Sequence, residues 1–194
     1  MPTKFILVGG YPKSAPDGGK SFCEEVIRNF KTPVKILECL FARPEENWNK
    51  AFNEDKNFFS KNLPKIKLDF KLADKENFLD QVNWADAVYI RGGDSERLLA
   101  NILSKKGFKN GIRNKTIAGS SAGADALVKY FYNLDSLKIE KGLGLLPIRL
   151  IVHFLSNYNA PNINWGEAYK ELDAYKETSP ILTLREGEFK IFKI

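Results

Sequence analysis

A chain of 194 residues with 43% hydrophobic content can close one complete core, so a single domain spanning 1–194 is expected. Its net charge of +6 comes from dispersed lysines rather than a basic block, which argues against nucleic acid as a partner. Cys23 and Cys39 stand at no metal or redox spacing, no apolar stretch reaches membrane-span length, and the start, MPTKFILVGG, has too short an apolar run for a secretory signal; a cytoplasmic protein with reduced thiols is the expectation.

Lys4 to Val8 (KFILV) reads as a continuous buried strand ended by Gly9-Gly10. Phe22, Val26, Ile27 and Phe30 recur at helical spacing, predicting an amphipathic helix from Lys20 to Phe30 that Pro33 stops. Val34 to Leu40 is a second strand, and Glu45 to Ser60 a second helix. In KIKLDFKL, Ile66, Leu68, Phe70 and Leu72 alternate with Lys65, Lys67, Asp69 and Lys71, the pattern of a half-buried strand whose lysines blunt a sheet edge. A short helical stretch over Lys75 to Val82 leads to a buried strand, Ala85 to Ile90, ended by Arg91-Gly92-Gly93-Asp94. Asp94 is placed to cap a helix from Ser95 to Lys105 with Leu98, Leu99, Ile102 and Leu103 as its core stripe.

Thr116 to Ala118 then runs into Gly119-Ser120-Ser121-Ala122-Gly123 and a helix from Ala124 to Val128: buried strand, tight turn, helix, with Ser121 at the tip. Beyond Tyr130 the pattern breaks into short pieces. A strand at Leu137 to Ile139, a turn-rich connection at Gly142 to Pro147 and a strand over Arg149 to Phe154 are expected. Asn162 to Tyr175 reads as loop then helix, with Trp165, Ala168, Tyr169 and Leu172 inward. Ile181 to Leu184 and Glu188 to Ile194 look like a closing hairpin turned at Glu186-Gly187.

Alternating strands and helices over the first two-thirds of the chain imply an α/β fold, a mostly parallel sheet covered on both faces, with its functional crevice beyond the C-terminal strand ends. Gly9-Gly10, Gly92-Gly93-Asp94 and Ser120-Ser121 all fall on that rim. A serine at a sharp strand-to-helix turn lifts its hydroxyl clear of the backbone beside free amides, the position a nucleophile needs. Serine requires a base, and the chain has one histidine, His153, so His153 is the base by elimination if the reaction is Ser/His acyl transfer. Glu186 and Asp135 both qualify by type as the acid that orients it. The amides of Gly93 and Ala122 could converge on an oxyanion, and the polar loop Ser156-Asn157-Tyr158-Asn159 could shape a pocket. Metal catalysis has no clustered ligands to support it.

Four ordered motifs, IRGGDSERLL, AGSSAGADAL, GLGLLP followed by HF, and LREGE, resemble the peptidase E and cyanophycinase family of serine peptidases from Tyr89 to Glu188. The resemblance implies a three-layer α/β/α sandwich, flavodoxin-like and similar to class I glutamine amidotransferases. It also implies Ser121 as nucleophile, His153 as base, Gly93 and Ala122 as oxyanion donors, and Glu186 as third triad member with Asp135 as the alternative. Gly92, Asp94, Asn157 and Tyr158 are the expected substrate-binding residues. A monomer or homodimer acting on short peptides, without cofactor, metal, nucleic-acid or membrane partner, follows. The chain departs from the family's aspartyl dipeptidase in having no arginine in SNYNAPNINWGEAYKEL, where Asn157, Tyr158 or Lys170 would supply a different pocket chemistry. It departs from the amidotransferases in having Ser121 for the elbow cysteine and Leu155 for the glutamate two residues after the histidine.

Two other readings compete. Asp17-Gly18-Gly19-Lys20-Ser21 resembles the end of a P-loop, although Ser14 stands where its first glycine belongs and Pro16 removes an amide. The third is a small-molecule-binding or regulatory protein that keeps the fold without turnover.

Overall fold

In the computed structural model, residues 2–103, 105–159, 161–175 and 178–194 are described. Among them the strands are β1 (Lys4–Val8), β2 (Val34–Cys39), β3 (Leu68–Leu72), β4 (Ala87–Ile90), β5 (Thr116–Ser120), β6 (Val128–Asn133), β7 (Lys138–Lys141), β8 (Leu146–Ile151), β9 (Ile181–Thr183) and β10 (Phe189–Lys193). The helices are α1 (Lys20–Ile27), α2 (Trp48–Asn62), α3 (Phe78–Trp84), α4 (Ser95–Leu103), α5 (Phe108–Gly111), α6 (Ala122–Leu127) and α7 (Trp165–Ala174).

A main sheet runs in the order β10-β1-β5-β4-β2-β3, parallel except for β10. Its central strands are apolar on both faces because helices cover both, as parallel connections require. On β1, Phe5 and Leu7 join one core with Phe78 and Val82 of α3, Leu98 of α4 and Leu127 of α6. Ile6 and Val8, one residue out of phase, join another with Phe22 and Val26 of α1 and Phe59 of α2. The expected three-layer α/β architecture is therefore present. The lysine-faced strand lies at the sheet edge as β3, with Lys71 and Asp69 outward. The segment 65–67 stays outside the ladder, and Ile66 is exposed.

A second sheet, β7-β6-β8-β9, packs Val128, Phe131, Leu150 and Ile151 against the first core. It contains β6, which takes in Val128, the last residue of the expected helix: α6 ends at Leu127 and β6 begins at Val128 with no loop between them. The expected closing hairpin is corrected here. The turn at Glu186-Gly187 forms, with Gly187 at φ +74°, but β9 joins β8 in the second sheet while β10 pairs antiparallel with β1 in the first. β9 and β10 each pair with a strand of a different sheet rather than with each other, so the turn crosses between sheets.

The cap from Asp94 forms, its Oδ1 accepting from the Arg97 amide at 2.9 Å. Leu98, Leu99 and Ile102 are buried as expected, while the Leu103 side chain and Ser104, within the span expected as helix, lie outside the described residues. On α7, Ala168 and Leu172 face inward and Trp165 packs against Phe154, but Tyr169 is turned to solvent, contrary to the expected stripe. Both cysteines are buried and unpaired, with burial pushing Cys39 up to about 12. Among the described residues no helix is long and apolar enough to cross a membrane.

Candidate active site

Strand register assembles the rim. On parallel neighbours, Val8 of β1 lies opposite Ser120 and Ile90 of β4 opposite Gly119. Two residues beyond Ile90 is Gly92; two beyond Gly119 is Ser121. The two meet so closely that a methyl group on Gly92 would stand 2.7 Å from the Ser121 Cβ. In the second sheet, β8 and β9 are also parallel, with Ile151 opposite Thr183, so His153 and Glu186 emerge at one end.

Ser121 occupies the turn between β5 and α6 at φ 52°, ψ −123°, a conformation that costs an L-residue about 1–3 kcal/mol. Its amide donates to Val8 O at 3.0 Å, and its carbonyl accepts from the amides of Ala124 at 2.7 Å and Asp125 at 3.0 Å, which hold that turn. The side chain is left to face His153, with Oγ 2.8 Å from Nε2. The imidazole is 3% exposed, and its backbone amide is tied to Gly9 O at 2.5 Å. Nδ1 meets Glu186 Oε1, and Glu186 Oε2 accepts from the Tyr11 amide at 3.0 Å. A carboxylate at Nδ1 places the ring proton there and leaves Nε2 as the acceptor facing the serine hydroxyl.

Of the two acids that spacing left open, Glu186 touches the imidazole. Asp135 instead accepts from the Tyr158 hydroxyl at 3.0 Å. Tyr158 stacks on the imidazole with ring centroids 4.3 Å apart and planes 15° from parallel. Its hydroxyl is pushed up to about 12, by burial first and by Asp135 next.

The amides of Gly93 and Ala122 have no acceptor among the described residues, which leaves both able to donate to an oxyanion. Gly93 holds φ +156°, and any side chain there would strike the Ala42 carbonyl. The rim opens into a cleft of about 830 Å³ lined by Gly92, Gly93, Asp94, Ser121, His153 and Tyr158 among others. Asn157 is corrected: it is exposed and does not line the cleft, because the chain turns through positive φ at Leu155 and again at Asn159 and leaves its side chain outside. Lys170, on the outer side of α7, is also absent from the lining.

The cleft also contains a charged wall that sequence reasoning missed. Arg91 donates to Ala51 O at 3.1 Å, lies 3.2 Å from Asp55 Oδ2 and donates to Glu54 Oε2 at 3.3 Å. Behind it, Glu38 is fully buried on β2, and burial first, then Asp55, pushes its carboxyl up to about 11. Arg43 donates from Nε to the Gly92 carbonyl at 3.0 Å. Arg91 directly precedes the Gly-Gly-Asp motif, a signal that could have been read; Glu38 sits in an otherwise apolar strand and gives none.

The 17–21 loop leaves no room for phosphate chemistry of the P-loop kind. Asp17 accepts from the Gly19 amide at 2.9 Å, the Ser21 amide at 2.7 Å and the Ser21 hydroxyl at 2.5 Å, so its own carboxylate occupies the place an anion would take. Among the described residues no group of three or more His, Cys, Asp or Glu could hold a metal.

The sequence profile of peptidase family S51 matches residues 46–192. No curated protein matches the chain significantly. Among solved structures, a peptidase from an acI-B1 Actinobacterium is 25% identical, with a TM-score of 0.70 over 99% of this chain and 84% of that one. A putative peptidase E protein from Listeria monocytogenes EGD-e is 15% identical, with a TM-score of 0.67 over 100% of this chain and 95% of that one, and shares the fold. With three-quarters of its length matched, from ahead of α2 into β10, the chain belongs to peptidase family S51, the peptidase E family.

Proposed function

We propose that the protein is a serine peptidase that hydrolyses short peptides through an acyl-enzyme. The observation that carries this reading is the unbroken line from Ser121 Oγ through the His153 ring to the Glu186 carboxylate at the mouth of the cleft. His153 Nε2 takes the Ser121 proton as Oγ attacks the scissile carbonyl. Glu186 holds the Nδ1 proton in place and stabilises the imidazolium. The Gly93 and Ala122 amides receive the oxyanion, and His153 returns the proton to the leaving amine. Water then enters, loses its proton to His153, and releases the acyl group as a carboxylate while Ser121 regains its hydrogen. A cleft of about 830 Å³ is of the size that encloses a small molecule rather than an extended chain, which favours short substrates.

Hydrolysis of a mixed dipeptide and tripeptide library, followed by release of amino acids, tests the proposal. Wild-type protein is expected to cleave a subset, and Ser121→Ala to cleave none while melting at the wild-type temperature. Turnover in the Ser121→Ala variant removes the proposal.

A further inference from the structure

The serine and histidine of the site are each fixed by several contacts, whereas its oxyanion side rests on a Gly-Gly peptide. That peptide is trans, so the Gly92 carbonyl and the Gly93 N–H point in opposite directions. With no Cβ on either residue, the steric barrier to turning the plane over is low. A turned plane would aim a carbonyl oxygen, rather than a donor, at the developing negative charge.

The neighbouring backbone clamps both flanks. The Arg91 amide donates to Cys39 O at 3.0 Å and the Asp94 amide to Ala42 O at 2.9 Å, so the end of β2 and the segment after it hold the chain on either side of the two glycines. The Gly92–Gly93 plane itself has one described partner, the Arg43 Nε–H on the Gly92 carbonyl at 3.0 Å. Arg43 is in turn held at its backbone: its amide donates to Leu40 O at 2.9 Å, and its carbonyl accepts from the Trp48 indole at 2.9 Å.

We infer that Arg43 is the positioning residue of the oxyanion site: by pinning the Gly92 carbonyl it keeps the Gly93 N–H turned toward Ser121. A charge-assisted bond to the carbonyl also polarises that peptide and makes its N–H a stronger donor. This rests on the Ser121 peptidase reading.

The test uses a peptide aldehyde, which forms a tetrahedral hemiacetal on a serine nucleophile, together with hydrolysis kinetics on a cleaved peptide. A first comparison, wild type against Ser121→Ala, decides the peptidase reading alone: aldehyde affinity must depend on Ser121. The second compares Arg43→Gln, which keeps an N–H donor, with Arg43→Met, which does not. Losing one oxyanion donor outright costs about 10²–10³ in kcat; a donor that is only misoriented costs less, so Arg43→Met is expected to lose about 10–100-fold in kcat and in aldehyde affinity. KM should stay within about twofold, and Arg43→Gln should recover most of the loss.

Equal losses in both variants with a raised KM would make Arg43 a substrate ligand and overturn the inference, as would wild-type kcat in Arg43→Met. A readout independent of any chemistry at Ser121 is the nuclear Overhauser effect from the Gly93 amide proton to the Ser121 β-protons. It should be strong in wild type and weakened in Arg43→Met; an undiminished effect overturns the inference. If Arg43→Met does not accumulate folded, the wild-type Arg43 Nε–H decides: slow exchange with solvent is expected, and exchange at the rate of a free guanidinium contradicts it.

Discussion

The Tyr11 amide donates to Glu186 Oε2 at 3.0 Å, joining the loop after the first strand to the turn before the last. Because β1 pairs with β10, the same ladder that closes the main sheet brings these two loops together. Glu186 is thereby fixed at both oxygens, one on the backbone and one on the imidazole. An orienting acid must hold one tautomer without swinging away, and this two-point attachment provides that.

Glu186→Gln is accordingly expected to lower kcat by about 10⁴-fold, the scale seen when a triad acid is replaced by its amide. Asp135→Asn, which touches His153 only through Tyr158, is expected to cost about tenfold or less. Steady-state kinetics of both variants on one peptide check the order. The reverse order would transfer the orienting role to Asp135.

Gly10 leaves the space that the Glu186 carboxylate fills, and a methyl group there would overlap it. Gly10→Ala should push the carboxylate off Nδ1 and reduce kcat/KM by about 10²-fold, the usual cost of displacing a catalytic group by about 1 Å. Overpacking should destabilise the fold by about 1–3 kcal/mol. Kinetics paired with a urea melt separate the two effects.

Burial holds Glu38 protonated, with its pKa raised to about 11, while in the unfolded chain it titrates near about 4.3. Between those values the native state binds the extra proton, so the contribution of Glu38 is fully present below the lower pKa and is lost as pH rises toward the upper one. Asp55 beside it is raised by burial, against the opposing pull of Glu38 and Arg91, so Glu38 carries the slope. Stability should therefore fall between pH 6 and 9. Glu38→Gln, which carries no titrating proton, should flatten the decline, as urea midpoints across that range would reveal.

Stacking on the imidazole and bonding to Asp135 make Tyr158 a brace for the base. Tyr158→Phe keeps the stack and loses the hydroxyl, so a drop of less than about tenfold in kcat is expected. Tyr158→Ala removes the ring that restricts the imidazole and should cost about 10²-fold. Equal rates in the two variants would contradict the bracing role of the ring.

Much of the site was legible because small residues have few uses where they stand. β5 runs through Gly119 and Ser120, where a side chain on Gly119 would strike the Gly123 carbonyl of the returning helix, and the positive φ at Ser121 is the turn that such close packing requires. His153 followed from being the one imidazole in the chain. The choice between Glu186 and Asp135 was not legible from spacing and came only from the family resemblance, since it depends on β9 lying parallel to β8 while β10 crosses to the other sheet, and a turn sequence specifies neither partner. β6 was hidden by its direct junction with α6, where no loop residue marks the change of period. Arg43, Asp55 and Glu38 escaped notice because their meaning is mutual: each is an ordinary charged residue until the fold sets Arg43 and Asp55 in the cleft wall with Glu38 buried behind it.

The most direct measurement of the central claim is labelling of the wild-type protein with a fluorophosphonate, followed by peptide mapping. The account predicts a single adduct on Ser121, formed at a rate that falls with His153→Ala and that is absent from Ser121→Ala. An unlabelled wild-type protein, or an adduct on another serine, would contradict it.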